Sequence, residues 1–202
     1  KKIAREAHKM GIEVIADGAH TLAHIDFKIP NLECDYFASS LHKWLGAPFG
    51  SGLLYVRKEK IKNVWALLSN NEPDGPDIRK FESIGTRSFA SEMAIGVAAD
   101  FHEVIGAKRK EDSLRFLKDY WVNQVKNLPG ISFNQPKSQH LSCAIASLSV
   151  EGMKPEEVAG ELFSKYKIHT VAINWENIHG VRVTANVYTS FKELDKLVTA
   201  VK

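Results

Sequence analysis

The run IEVIA at positions 12–16 limits the fold more than any other part of this 202-residue chain. It follows a helical pattern in which Ile3, Ala4, Ala7 and Met10 share one face and Gly11 supplies the stop. A nearly all-apolar strand entered directly from a helix is half of a helix-then-strand repeat, the unit of a parallel α/β sheet. Such a domain should open with a strand, so the sequence is expected to begin inside a larger domain. The alternative is a natural N-terminal helix packed on a sheet edge. The opening KKIAREAHKMG has no initiator Met and no signal or transit sequence, any of which would lie upstream of residue 1 in a longer protein. A cytoplasmic location is the working expectation.

The alternation continues along the chain. Strands are expected at 34–39 and 51–56, joined by loops rich in Gly and Pro, and NNEPDGPD at 70–77 reads as loop. Ser91 is the expected cap of a helix over 91–105 ended by Gly106, and a longer helix over 108–128 stops at Pro129 and Gly130. Beyond it, short strands at 131–133, 143–150, 168–173 and 181–185 interleave with helices at 155–166 and 190–201. The pattern predicts two domains. Residues 1–115 form part of a mostly parallel-sheet large domain, and residues 116–202 form a small C-terminal α+β domain.

Composition removes several classes of function. Hydrophobic residues at 44% and charged residues at 25% are ordinary globular usage, which excludes disorder for the bulk of the chain. The apolar run CAIASLSV at 143–150 falls far short of the ~18–20 residues of a bilayer span, so no membrane partner is expected. Two cysteines make neither a disulfide framework nor a structural zinc site. A net charge of +3 is too small and too dispersed to predict nucleic-acid binding. His20 and His24 have the i, i+4 spacing of a metal pair, but no HExxH pattern or cysteine accompanies them, and no metal is expected.

Two strand ends carry the chemistry. Asp17 closes IEVIA, and Lys43 lies just past CDYFASS in SLHKWLGAPFGSG. The carboxyl ends of strands form the ligand crevice of an open α/β sheet, where both side chains could converge. A lysine with its reference pKa of about 10.4 is protonated at neutral pH, so nucleophilic use requires burial or covalent capture. Spacing alone leaves a structural ion pair, solvated ends or a Schiff-base site open, and favours the first two.

The surrounding residues reverse that preference. ADGAH at 16–20, SLHK at 40–43, the Gly/Pro turn leading to GSGLLYVR, RKFESIGTR at 79–87 and GVRVTANVYTSFKELDKLV at 180–198 occur in order. Together they resemble the class V (cysteine desulfurase-like) branch of pyridoxal-phosphate enzymes, and their wording is most similar to isopenicillin N epimerase-like members. The resemblance covers essentially the whole chain and implies a fold-type-I α/β architecture. It also implies that the chain is the C-terminal portion of an enzyme close to twice as long.

By the same resemblance, Lys43 anchors the cofactor pyridoxal 5'-phosphate as a Schiff base and moves protons. Asp17 faces the pyridine nitrogen, and His20 lies near the ring's phenolic oxygen. Ser40 and His42 bind the phosphate, to which Gly85 and Thr86 contribute from the partner subunit of a homodimer. Arg182 grips the α-carboxylate of an amino-acid substrate, a task suited to its planar fork. Strand alternation agrees, placing Val181 and Val183 on one face and Arg182 on the other. Asn186, Tyr188 and Thr189 are expected to hold that arginine in position.

The desulfurase branch needs a reactive loop cysteine before the carboxylate-binding arginine, and HTVAINWENIHG at 169–180 has none. Cys34 and Cys143 read as small core residues. The expected activity is therefore epimerase- or transaminase-like, beginning with transaldimination by the amino-acid substrate and followed by α-proton abstraction by Lys43. The rivals are a lyase of the same class and a catalytically silent binding module on this scaffold.

Overall fold

A computed structural model describes residues 1–68, 70–136 and 138–202. The chain forms two compact units, Lys1–Ala107 and Lys108–Lys202. Their division falls at the start of a long helix, whereas the sequence puts it near residue 115 inside the same helix.

The first unit contains α1 (Lys2–Lys9), β1 (Ile15–Asp17), β2 (Tyr36–Ser40), β3 (Gly52–Val56) and α2 (Phe89–Ile105). The sheet order is β1-β2-β3. β1 and β2 are parallel, with Asp17 opposite Ala38, whereas β2 and β3 are antiparallel, with Ser40 opposite Gly52. Connection length explains the mixture. Residues 18–35 are long enough for a crossover, while 41–51 can only turn the chain back on itself. β1 starts three residues later than the apolar run suggests. Along β2, Phe37 and Ser39 are buried and their neighbours half-buried, the alternation of a strand with one face against the core.

α2 begins two residues before the expected start. Ser88 is its cap residue, with extended backbone, and Ser91 lies in the first turn with its hydroxyl 3.2 Å from that of Ser88. Gly106, at φ 86°, ends the helix. Phe89, Met93, Val97 and Phe101, spaced four apart, form an exposed apolar row along it.

The second unit holds α3 (Ala107–Val125), β4 (Ile131–Phe133), β5 (Ile145–Val150), α4 (Pro155–Tyr166), β6 (Val171–Trp175), β7 (Ile178–Thr184) and α5 (Phe191–Val201). Its sheet is antiparallel throughout, in the order β4-β5-β7-β6. Leu117, Trp121, Val122 and Val125 make one stripe of α3. With Val158 and Leu162 of α4 and Leu194, Leu197 and Val198 of α5, that stripe packs in one core with Ala146, Leu148, Val181 and Val183 of the sheet. Gly180 has a packing reason, because a Cβ there would lie 2.6 Å from the Leu148 carbonyl oxygen. Ser190 caps α5 reciprocally: its hydroxyl accepts from the Glu193 N–H at 3.3 Å, and the Glu193 carboxylate accepts from the Ser190 N–H at 2.8 Å. No helix among the described residues is long and apolar enough to cross a membrane.

One buried carboxylate organises the first unit. Asp35 is 2% exposed and accepts from His8 Nε2 at 2.7 Å and from the Val14 N–H at 2.8 Å. Burial opposes its charge, but the Val14 N–H, His8 and Arg57 outweigh burial and hold its carboxyl below the ordinary value. A depressed folded-state pKa contributes stability above the unfolded value of about 3.9, which is lost as pH falls through the folded value. Asp35→Asn should cost about 3 kcal/mol at pH 7. In urea titrations across pH, the gap between variant and wild type should begin to narrow below about pH 4 and continue to do so as pH falls through the lower folded-state value.

Candidate active site

The parallel pairing of β1 with β2 brings two carboxyl ends to one edge of the sheet. Asp17 is the last residue of β1, and its Oδ1 accepts the Ala19 N–H at 2.9 Å, a local bond that favours a turn. The Gly18 N–H donates to the Ala38 carbonyl at 2.7 Å, continuing the ladder by one step. The Ser39 hydroxyl donates to the Gly18 carbonyl at 2.9 Å from within the core. No side chain fits at position 18, because a Cβ there would lie 2.0 Å from Cζ of Phe37, which is 1% exposed. The turn that carries the next residues is thus pinned by backbone and packing together.

That turn closes through Thr21 N–H to Gly18 carbonyl and His24 N–H to Thr21 carbonyl bonds of 2.8 and 3.1 Å. Opposite it, the loop after β2 is closed by Leu41 N–H to Ser51 carbonyl and Ala47 N–H to Leu41 carbonyl bonds, both 3.1 Å. Lys43, half-buried, reaches across with its Nζ 3.4 Å from His20 Nε2. Trp44 Nε1 donates to His20 Nδ1 at 3.2 Å. The Trp44 ring also stacks on His24, with centroids 3.6 Å apart and planes 1° from parallel. His24 in turn places its Nδ1 2.8 Å from the His20 carbonyl.

Beside this cluster lies an open concavity of about 510 Å³, lined by Ile15, Ala16, Asp17, Ala19, Ala38, Ser39 and Ser40. Asp17 and Ser40 therefore face one space, and His20 and Lys43 touch each other. His42 packs against Phe49 at 5.2 Å between centroids, and its Nδ1 is buried with no hydrogen-bond partner among the described residues. A buried polar atom left unpaired in this way calls for a ligand or water.

The remaining candidates lie elsewhere in the chain. Gly85 and Thr86 are exposed, just before α2, with Gly85 at φ 71°. Arg182 belongs to the second unit, half-buried in β7 between buried Val181 and Val183, so strand alternation turns it away from the core. Its register partner across β5 is Ser147, whose hydroxyl is buried and unpaired among the described residues. Asn186 and Thr189 close their own turn, through Asn186 N–H to Thr189 Oγ1 at 2.9 Å and Thr189 N–H to Asn186 carbonyl at 2.8 Å. None of these bonds ends on Arg182. The strands expected at 168–173 and 181–185 form as β6 and β7 and extend into a β-hairpin over most of 169–180, with Trp175 paired to Ile178 across the turn and 70% exposed.

Two residues escape a reading of the sequence. The His20/His24 spacing suggests a metal pair, but the structure gives His24 the tasks of holding the His20 backbone and backing Trp44. Trp44 itself carries only a weak signal, an aromatic directly after the lysine. Among the described residues, no group of three His, Cys, Asp or Glu side chains could hold a metal ion. Cys34 and Cys143 are both buried, and burial pushes the Cys143 thiol up to about 11.

Comparison with known proteins relates the chain to one family. The model of the class-V aminotransferase family matches residues 1–197. The isopenicillin N epimerase of Streptomyces clavuligerus is 27% identical over 98% of the chain and 54% of its own length. A probable cysteine desulfurase of Halalkalibacterium halodurans is 31% identical over 79% of the chain and 40% of its own. The apo structure of a cysteine desulfurase from Thermococcus onnurineus NA1 superposes with a TM-score of 0.84 at 22% identity, over 98% of the chain and 54% of that structure. The chain spans about half the length of the isopenicillin N epimerases it matches.

Gly18 offers a direct test of how the edge is built. Gly18→Ala should lower stability by about 2 kcal/mol through overpacking against Phe37, read by thermal melting. The His20–Lys43 contact should loosen with it, read by crystallography of the variant.

Proposed function

The chain belongs to the class-V aminotransferase family, whose members use pyridoxal phosphate, and we propose that it carries the anchor lysine and carboxylate grip of an enzyme acting on amino acids. The observation that carries this reading is Lys43 Nζ set against His20 Nε2 beside the concavity that Asp17 and Ser40 line. The donor set fits the cofactor: a carboxylate for a protonated ring nitrogen, an amine for an aldehyde, and a hydroxyl with an unpaired buried imidazole nitrogen for a phosphate. When bound, pyridoxal phosphate supplies an electron sink for negative charge developing at the amino-acid α carbon.

The residues of the chain do the rest. Lys43 would anchor through Nζ and, once the substrate's own amine has displaced it, would be the free amine that takes the α proton and returns it. Asp17 has Oδ1 committed to the Ala19 N–H and offers its other oxygen to the ring nitrogen, keeping that nitrogen protonated. Ser40 and His42 donate to the phosphate. Arg182 grips the substrate carboxylate with its two-pronged guanidinium, and the unpaired Ser147 hydroxyl beside it supports an anionic ligand on that face. Gly85 and Thr86 complete the phosphate site of a second subunit in a homodimer. The exposed apolar row on α2, which they directly precede, supports that assembly.

The reading favours proton transfer at the α carbon, as in epimerisation or transamination, over persulfide chemistry. The hairpin over 169–180 holds no cysteine, and a thiol pushed up to about 11 is a poor nucleophile at neutral pH.

Borohydride reduction of the complete enzyme with pyridoxal phosphate should label Lys43, and Lys43→Ala should abolish both the label and the visible band. A band of unchanged intensity in that variant would refute the anchor. Arg182→Lys should leave the band intact while weakening its response to a panel of amino acids about tenfold, the loss of roughly one charge-assisted hydrogen bond.

A further inference from the structure

Trp44 has no part in the chemistry described so far, yet its indole N–H ends on the histidine that faces the anchor lysine. An indole nitrogen only donates, so the 3.2 Å contact requires His20 Nδ1 to be the unprotonated, accepting nitrogen. With Nδ1 accepting, the proton of the neutral ring sits on Nε2, the edge 3.4 Å from Lys43 Nζ, where it suits a neutral amine and opposes an ammonium. Which nitrogen of a histidine carries the proton is set by the bond that the other nitrogen makes.

The indole is not free to turn away. Trp44 and His24 are each 4% exposed and lie ring on ring, 3.6 Å apart. His24 is held because its Nδ1 lies 2.8 Å from the His20 carbonyl, an oxygen that only accepts. Backbone carbonyl of His20, ring of His24, indole of Trp44 and ring of His20 form a closed circuit returning to the residue where it began. Trp44 Nε1 meets one edge of the His20 ring and Lys43 Nζ the other, with His24 stacked behind the indole.

We propose that Trp44 is a positioning residue that locks His20 in its Nε2–H tautomer. The edge turned to the reaction is then always a donor. An Nε2 lone pair would accept from a lysine ammonium, whereas an Nε2–H pairs with the lone pair of the amine or with an oxygen anion. The inference rests on the proposed function only for the identity of that oxygen, the phenolic oxygen of pyridoxal phosphate. The tautomer is set by the shorter and more deeply buried of the two contacts, that of Trp44, against a Lys43 ammonium that would ask for the opposite one.

The test uses the complete enzyme labelled with ¹⁵N-histidine, first without and then with pyridoxal phosphate. His20→Gln assigns the His20 ring signals by their loss. The wild-type ring should show its proton on Nε2 and a bare Nδ1. Trp44→Phe keeps an aromatic ring against His24 but removes the N–H, and should populate the Nδ1–H form. It should also slow the appearance of the visible band on mixing with pyridoxal phosphate about tenfold, the loss of one hydrogen bond. In the His20→Gln background the side-chain amide donates without a tautomer choice, so adding Trp44→Phe should cost nothing further.

A wild-type proton on Nδ1 overturns the proposal. So does an equal cost of Trp44→Phe in both backgrounds, which would make Trp44 a packing residue only. If Trp44→Phe does not fold, the wild-type spectrum still decides. Failure of borohydride labelling at Lys43, with the tautomer as stated, would sink the cofactor reading and leave this one standing.

Discussion

The buried carboxylate of Asp35 is the point from which the first unit is hung. Its side chain ties α1, through His8, to the residue that leads into β1, through the Val14 N–H. Its own backbone carbonyl accepts the Arg57 N–H at 2.8 Å, just after β3. A helix and the ends of all three strands are thereby referred to one residue with almost no access to water. The parallel register of β1 and β2 follows, and with it the arrival of Asp17 and the loop of Lys43 at the same edge. Because a buried unpaired charge costs far more than a surface one, the arrangement holds as a set or not at all.

The two units contain different kinds of sheet. A short mixed sheet leaves a parallel edge at which strand ends gather, the usual setting for a ligand in α/β proteins. The antiparallel sheet of the second unit packs one face on three helices, and alternation places Arg182 and Ser147 together on the other.

Much of this is legible in the residues themselves, where local chemistry decides. The strand end at Asp17, the position of Lys43 beyond β2 and the outward face of Arg182 follow from apolar runs and from alternation. What escapes is set at a distance. The return of β3 as an antiparallel strand depends on the length of its connection rather than on its own composition. The strand expected at 168–173 stops short of Asn174 and Trp175, where Asn, Glu and Gly interrupt the pattern, yet β7 gives that stretch a template and it pairs as a hairpin. His24 shows the same limit. Spacing relates it to His20, but only the fold reveals that its ring backs an indole twenty residues away.

Position 18 has a consequence for how such a chain can change over generations. Every substitution of a glycine adds a Cβ, and here the space for it is filled by the ring of Phe37. No single replacement at that codon is silent in the protein, so the site cannot drift by itself. A lineage could vary it only after Phe37 had given way to something smaller. The angle at which the chain leaves β1, and so the aim of the histidine behind it, is inherited as a property of two residues rather than one.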